Sequence, residues 1–203
     1  IILAANHISF IDSLAIPVVA PRSVHFLAKA EYFTRTGFVG WLEKQLFLAI
    51  GAVPVDRGAG QAAMDALSQQ KRILESGSAV AIHPEGTRAR DGRLYKGRTG
   101  VGFLALETGA LVVPVGLIDT DTAMPLGSKF PSLRVRITVK FGEPIDVSTH
   151  GAASSGRARR AATDEVMAAI HDLTGQELAD MYNEPPAAGT IEKLKRAIPH
   201  ERR

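Results

Sequence analysis

The chain has 203 residues, 45% of them hydrophobic and 22% charged, which is enough apolar material for one sizeable core and too much for a disordered segment. It has no cysteine, so disulfides, a cysteine nucleophile and thiolate metal sites are excluded, and a reducing compartment fits. The net charge of +3 is too small for a nucleic-acid binder but compatible with an anionic substrate or an anionic membrane surface.

The apolar run "IILAAN" (Ile1 to Asn6) reads as a buried strand. "SLAIPVVA" (Ser13 to Ala20) fits one or two helical turns limited by Pro17. "VHFLAK" (Val24 to Lys29) is a second strand. In "FVGWLEKQLFLAI" (Phe38 to Ile50), Trp41, Leu42, Gln45, Leu46 and Ala49 share one stripe of an amphipathic helix. "GAVPV" (Gly51 to Val55) is a short strand. Gln61 to Ser76 reads as a helix stopped by Gly77, with Met64, Leu67 and Leu74 on its apolar side. Ser78 to Ile82 is a strand that runs into a loop. A helix over Thr99 to Thr108 then leads to a strand over Leu111 to Val115.

"RVRITVKFG" (Arg134 to Gly142) alternates and is predicted as the last strand. After the loop "GAASSG" (Gly151 to Gly156), Ala162, Val166, Ala169, Ile170 and Leu173 form the stripe of a final helix. Asn183 to Arg203 is a proline-containing basic tail. No apolar run approaches the roughly 20 residues of a membrane-spanning helix. The longest, "GALVVPVGLI" (Gly109 to Ile118), contains Pro114 and suits a buried strand better. No charged region of a secretory signal precedes the first strand.

Strands thus alternate with helices, and short non-alternating strands imply cover on both faces. The fold class expected is α/β: a single domain with a central, mostly parallel, twisted sheet of six or seven strands and helices on both faces. Residues 1–150 form its core, and residues 151–203 add a helical segment and basic tail.

Ligand sites in such sheets lie beyond the carboxyl ends of the strands, and the unusual polar residues gather there. "NHISFID" (Asn6 to Asp12) follows the first strand, Lys29 and Glu31 the second, Asp56 and Arg57 the third, and "HPEGTRARDG" (His83 to Gly92) the fourth. On a continuous helix, His7 and Asp12 would point apart by about 140°. They meet only if the chain turns between them, and Asp12 then fixes the Nδ1–H tautomer of His7 and leaves Nε2 to take a proton. The alternative is a solvated histidine beside a helix capped by Ser9, Asp12 or Ser13.

In "HPEGTR", Pro84 ends the strand, Gly86 permits a turn, Thr87 adds a hydroxyl and Arg88 a planar fork suited to phosphate. Glu85 could orient that arginine. The alternative is an ordinary charged turn, and for His83 the reading is a packed strand-end side chain. Arg57 is a second candidate phosphate ligand, Lys29 and Lys96 weaker ones. "KGRTG" (Lys96 to Gly100) lacks the spacing of a nucleotide P-loop, and no histidine and carboxylate cluster has metal-ligand spacing.

Taken together, these stretches resemble the glycerolipid acyltransferase family, the lysophosphatidic acid acyltransferases and their relatives. The family block N-H-x-S-x-x-D is matched at Asn6, His7, Ser9 and Asp12. The strand followed by a basic residue is matched by "GAVPVDR" with Arg57, and F-P-E-G-T-R by Pro84 to Arg88, with His83 where an aromatic is usual. An apolar, proline-containing block is matched by "LVVPVGL" (Leu111 to Leu117).

The resemblance implies transfer of an acyl chain from acyl-CoA or an acyl-carrier protein to the sn-2 hydroxyl of 1-acylglycerol-3-phosphate. His7 would be the general base and Asp12 its orienting partner. Arg57, Arg88, the Glu85–Gly86–Thr87 turn and Lys29 would hold the acceptor phosphate, with Asn6, Ser9 and Lys96 in support. It implies no cofactor and no metal. It places the protein at the cytoplasmic face of a membrane, held peripherally or by a segment preceding Ile1, with the Trp41, Leu42 and Leu46 stripe as a possible interfacial contact. The alternatives are another acceptor, glycerol-3-phosphate or a different lysophospholipid, and a non-catalytic lipid-phosphate binding protein of the same fold.

Overall fold

A computed structural model describes residues 1–55, 61–128 and 130–184 of the chain. Six strands form one sheet: β1 (Ile2–Ala5), β2 (Val24–Lys29), β3 (Ala52–Val55), β4 (Ala79–Ile82), β5 (Val112–Ile118) and β6 (Thr138–Phe141). Their spatial order is β3-β2-β4-β1-β5-β6. The first five run parallel, and β6 pairs antiparallel with β5 at one edge. The expected fold is found, with six strands among the described residues.

The central strand β1 shows why the sequence adopts this form. All four of its side chains are buried, so it needs cover on both faces, and helices supply it. One face carries α1 (Asp12–Val19), the short α2 (Glu31–Thr34) and α3 (Gly37–Ala49), whose Ile16, Tyr32 and Phe47 pack with Leu3, Phe26 and Leu117. The other carries α4 (Gln61–Glu75), α5 (Gly100–Thr108) and α7 (Gly156–Thr174), after the one-turn α6 (Thr120–Ala123).

Helix α7 belongs to the core: its Val166, Met167 and Ile170 are buried with Ile2, Leu104 and Val112, each contributing about 1.5–3 kcal/mol of apolar burial. Ser155 caps it by accepting from the Ala158 N–H, which explains why the preceding loop stops where it does. Gly102 lets α5 approach α7 closely, since a Cβ there would run into the Arg159 carbonyl oxygen.

Two sequence expectations are corrected. The last strand is shorter than Arg134 to Gly142: β5 ends at Ile118, opposite Thr138, so residues before Thr138 have no strand to pair with. On α4, Met64 is exposed rather than part of the apolar stripe, while Leu67 and Leu74 pack on the core as expected and Gln70 is also buried.

On α3 the apolar stripe faces outward. Trp41, Leu42 and Leu46 are 55%, 55% and 57% exposed, and the helix is held by Phe47 and Gly40 on the opposite side. The periodicity is real, but it belongs to the surface.

Candidate active site

Both ends of the first block are built by a break in the chain. β1 stops at Ala5, and helical structure does not resume until Asp12, with a turn between. The side chain of Asp12 is drawn back across this turn. Its Oδ2 accepts from His7 Nδ1 at 2.8 Å, from the Ile8 N–H at 2.7 Å and from the Ser9 N–H at 2.7 Å. Neither Ser9, Asp12 nor Ser13 caps α1, whose N-cap is Ile11 with no side-chain bond.

Asp12 is fully buried. Burial alone would raise its carboxyl, but the hydrogen bond and charge of His7 outweigh that and hold it below the usual carboxylate range. With Nδ1 bonded to Asp12, Nε2 lies at the opposite edge of the His7 ring.

The two flanking residues of the block serve the frame. Asn6 extends the sheet with its side chain: Oδ1 accepts from the Leu117 N–H at 2.7 Å, and Nδ2 donates to the Leu117 carbonyl at 2.9 Å and to Gln176 Oε1 at 2.8 Å. Ser9 donates its hydroxyl to the Met124 carbonyl at 2.8 Å, which ties this turn to the segment after α6.

The second cluster is stitched to the first through the backbone of His7. The His7 N–H donates to Glu85 Oε1 at 2.8 Å, and the His7 carbonyl accepts from the Ala89 N–H at 2.7 Å. Glu85 also accepts from the Tyr95 N–H at 2.9 Å through Oε2. This corrects the expected role of Glu85. It is fully buried, both oxygens are spent on backbone N–H groups, and it clamps three segments rather than facing a phosphate. Burial pushes its carboxyl up to about 7, against the lowering effect of those two N–H bonds.

Gly86 turns the chain with φ +77° and is exposed, and a Cβ there would meet the Arg98 side chain at 3.0 Å. Thr87 and Arg88 follow at the rim.

His83 has more to do than the sequence indicated. Its ring lies face to face with that of His7, centroids 4.0 Å apart and planes within 10°. Burial first, then the neighbouring His7 charge, push the His83 imidazole down to about 3.

Two clefts open beside the His7 turn, and Arg88 borders both. One is lined by His7, Phe10, Phe26, Tyr32 and Phe47, with Ser13, Leu14 and Arg88 at its sides. The other is polar, with Ser9, Thr87, Arg90 and Asp121 on its walls.

Arg57 lies outside the described residues. Lys29 sits at the end of β2 on the same rim, but its ammonium is 2.7 Å from Glu31 and it borders neither cleft. Lys96 is also turned away, with Nζ 6.0 Å from the centre of the Tyr182 ring. Among the described residues no group of three His, Asp or Glu side chains could hold a metal ion.

A family model for acyltransferases matches residues 1–118, from β1 to the end of β5. The chain belongs to the acyltransferase family. It is 33% identical over 144 residues to the chloroplastic 1-acyl-sn-glycerol-3-phosphate acyltransferase LPAT1 of Arabidopsis thaliana, covering 71% of this chain and 39% of that one. With the 1-acyl-sn-glycerol-3-phosphate acyltransferase of Limnanthes douglasii it shares 34% identity over 148 residues, 71% of this chain and 50% of the relative. The chain thus spans half or less of the length of these two relatives.

The crystal structure of the 1-acyl-sn-glycerophosphate (LPA) acyltransferase PlsC from Thermotoga maritima superposes with a TM-score of 0.61 at 26% identity. That match covers 85% of this chain and 65% of the other.

Within this acyltransferase fold, one part of the site had no signal in the sequence. The segment after α7 runs alongside residues 94–98 like a strap. The Leu94 N–H donates to the Glu177 carbonyl at 2.8 Å, the Ala179 N–H to Leu94 at 3.0 Å and the Lys96 N–H to Met181 at 2.9 Å. Arg98 donates to the Asn183 carbonyl at 3.1 Å, and Asn183 Nδ2 donates to the Thr87 carbonyl at 3.2 Å. Arg90, Asp121 and Met124, at the polar cleft, were also missed. Asp121 and Met124 join it only through the fold, and Arg90 lies in the quoted "HPEGTRARDG" loop, where its charge was the available clue.

Glu85 and His83 oppose each other in pH. Glu85 holds its proton to about 7 when folded and to 4.5 when free, so stability falls as pH rises through that window. His83 refuses its proton down to about 3 when folded but takes it at 6.5 when free, so stability falls as pH drops from 6.5 toward 3. Between 4.5 and 6.5 the slopes cancel, and Asp12, lowered from 3.8, adds nothing there. In urea unfolding, the Glu85 and His83 contributions should therefore offset each other over that range. The H83F variant should lose stability as pH rises, on the order of 1 kcal/mol per pH unit. A flat H83F profile would show that Glu85 is ionised throughout.

Proposed function

We propose that this chain carries the catalytic core of a 1-acylglycerol-3-phosphate acyltransferase, moving an acyl chain from an acyl thioester to the sn-2 hydroxyl. The observation that carries the reading is the buried His7–Asp12 pair between an aromatic cleft and a polar one that share Arg88. The names of the relatives agree with it.

In the proposed reaction, His7 Nε2 removes the proton of the acceptor hydroxyl as its oxygen bonds to the thioester carbonyl carbon. Negatively charged Asp12 stabilises the imidazolium that forms. The tetrahedral intermediate collapses, the C–S bond breaks, and the departing thiolate takes the proton back from His7. The products are phosphatidic acid and a free thiol, with no acyl-enzyme. The aromatic cleft suits a hydrocarbon chain, and Arg88 with Thr87 suits the acceptor phosphate. The thiol carrier, CoA or acyl-carrier protein, is assigned by the same assay run with each donor.

The test is thiol release from acyl-CoA with lysophosphatidic acid, glycerol-3-phosphate and neutral lysophospholipids as acceptors. Turnover is expected with lysophosphatidic acid first. Equal turnover on phosphate-free acceptors would overturn the acceptor assignment. Arg88→Ala is expected to raise the KM for the acceptor about 10–100-fold with a smaller change in kcat. A KM change confined to the thioester would remove Arg88 from the phosphate site.

Such a substrate is drawn from a bilayer, and no described helix is long and apolar enough to cross one. We propose that the outward stripe of α3 rests on the lipid surface, as amphipathic anchors do. Phe38 and Trp41 stack at its edge, centroids 5.9 Å apart, while Phe47 on the inner side lines the aromatic cleft. Trp41 is the sole tryptophan, so its emission should shift to the blue on anionic vesicles, and L42E/L46E should abolish that shift. Unchanged emission in saturating vesicles would sink the contact.

A further inference from the structure

We infer that His83 is a positioning residue for His7, a flat ring that fixes the plane of the catalytic imidazole. The inference rests on the reading of His7 as the general base.

The hydrogen bond from His7 Nδ1 to Asp12 Oδ2 decides which edge of the ring faces the carboxylate. It does not decide the tilt of the ring about that bond, and tilt moves Nε2, the atom at the far edge. A second planar group lying 4.0 Å away and within 10° of parallel removes that freedom. Displacements of about 1 Å at a reacting atom cost as much as 10²-fold in rate, so the plane of the base matters.

His83 can serve as such a surface because it is itself tied down. Its Nδ1 lies 3.2 Å from the Ala5 carbonyl oxygen and 3.0 Å from that of Asn6. Both partners are pure acceptors, so Nδ1 carries the proton and the ring is held to the same strand end that presents His7. Its own carbonyl accepts from the Gly86 N–H at 3.0 Å, which closes the turn beneath it. A histidine that merely filled space at the end of β4 would satisfy its nitrogen without lying flat against the base.

Two substitutions separate the face from the anchor. H83N retains a donor near Nδ1 but has no ring; H83F retains a flat ring but has no donor. H83N is expected to lower kcat about 10–30-fold with the acceptor KM within about twofold, and H83F to recover kcat to within about threefold of wild type. Proton NMR of the wild-type protein should show cross-peaks between the ring protons of the two histidines, assigned by their loss in H7A and H83F.

H83N turning over at the wild-type rate, H83F falling as far as H83N, or the absence of the cross-peaks would each overturn the inference. The cross-peaks report the ring geometry even if H83N fails to fold. Undiminished turnover by H7A would instead remove the general-base reading, a result distinguishable because the cross-peaks do not depend on turnover.

Discussion

His7→Ala is expected to reduce kcat about 10³-fold while leaving the KM for both substrates within a few-fold, as measured by thiol release at saturating acyl-CoA. The size follows from the leaving group. A thiolate departs readily, so the difficult part of the reaction is making the hydroxyl nucleophilic, and a positioned base contributes typically 10²–10⁴-fold to that. What survives should be the contribution of holding the two substrates together. Folding should be little affected: the backbone bonds of His7 to Glu85 and Ala89 do not involve its side chain. Asp12 still keeps its two N–H partners at Ile8 and Ser9. A variant with wild-type kcat would mean that the hydroxyl is activated elsewhere.

Asp12 is expected to matter twice, and two variants divide the roles. In D12A, the Ile8 and Ser9 N–H groups and His7 Nδ1 lose their common acceptor, Oδ2. Leaving buried donors unsatisfied costs about 1–3 kcal/mol each, so a loss on the order of 3–5 kcal/mol is expected in urea unfolding. D12N keeps an acceptor oxygen of the same reach, and the turn with it. It loses the negative charge that stabilises the imidazolium, so about 10²–10³-fold in kcat should go with little loss of stability. The turn-holding role is contradicted if D12A unfolds at the wild-type urea concentration. The electrostatic role is contradicted if D12N matches wild-type kcat.

Much of this architecture was legible in the residues. The apolar run Ile1 to Ala5 read as a buried strand, and His7 and Asp12 could meet across their five-residue offset only through a turn, which the structure contains. The α3 stripe was legible as a period but not as a direction: periodicity says that apolar side chains share a face, and only packing says which face is buried. Glu85 misled for a related reason. A charged residue at a strand end can point at a ligand or into the frame, and Glu85 does the latter because two loops leave N–H groups that need an acceptor. The stacked His83 and the strap at residues 176–184 had no local signature. They depend on contacts across long stretches of chain, such as the one between Asn183 and Thr87.

The strap also sets the order in which this protein can be completed. During synthesis, β1 with His7 and Asp12 leaves the ribosome well before its sheet neighbours β4 and β5. The loop carrying Thr87 and Arg88 still lacks the bonds from Leu94, Lys96 and Arg98 to residues 177–183 until that stretch has emerged. A nascent chain arrested just after α7 would therefore hold His7 and Asp12 together while the loop carrying Thr87 and Arg88 stayed unfastened.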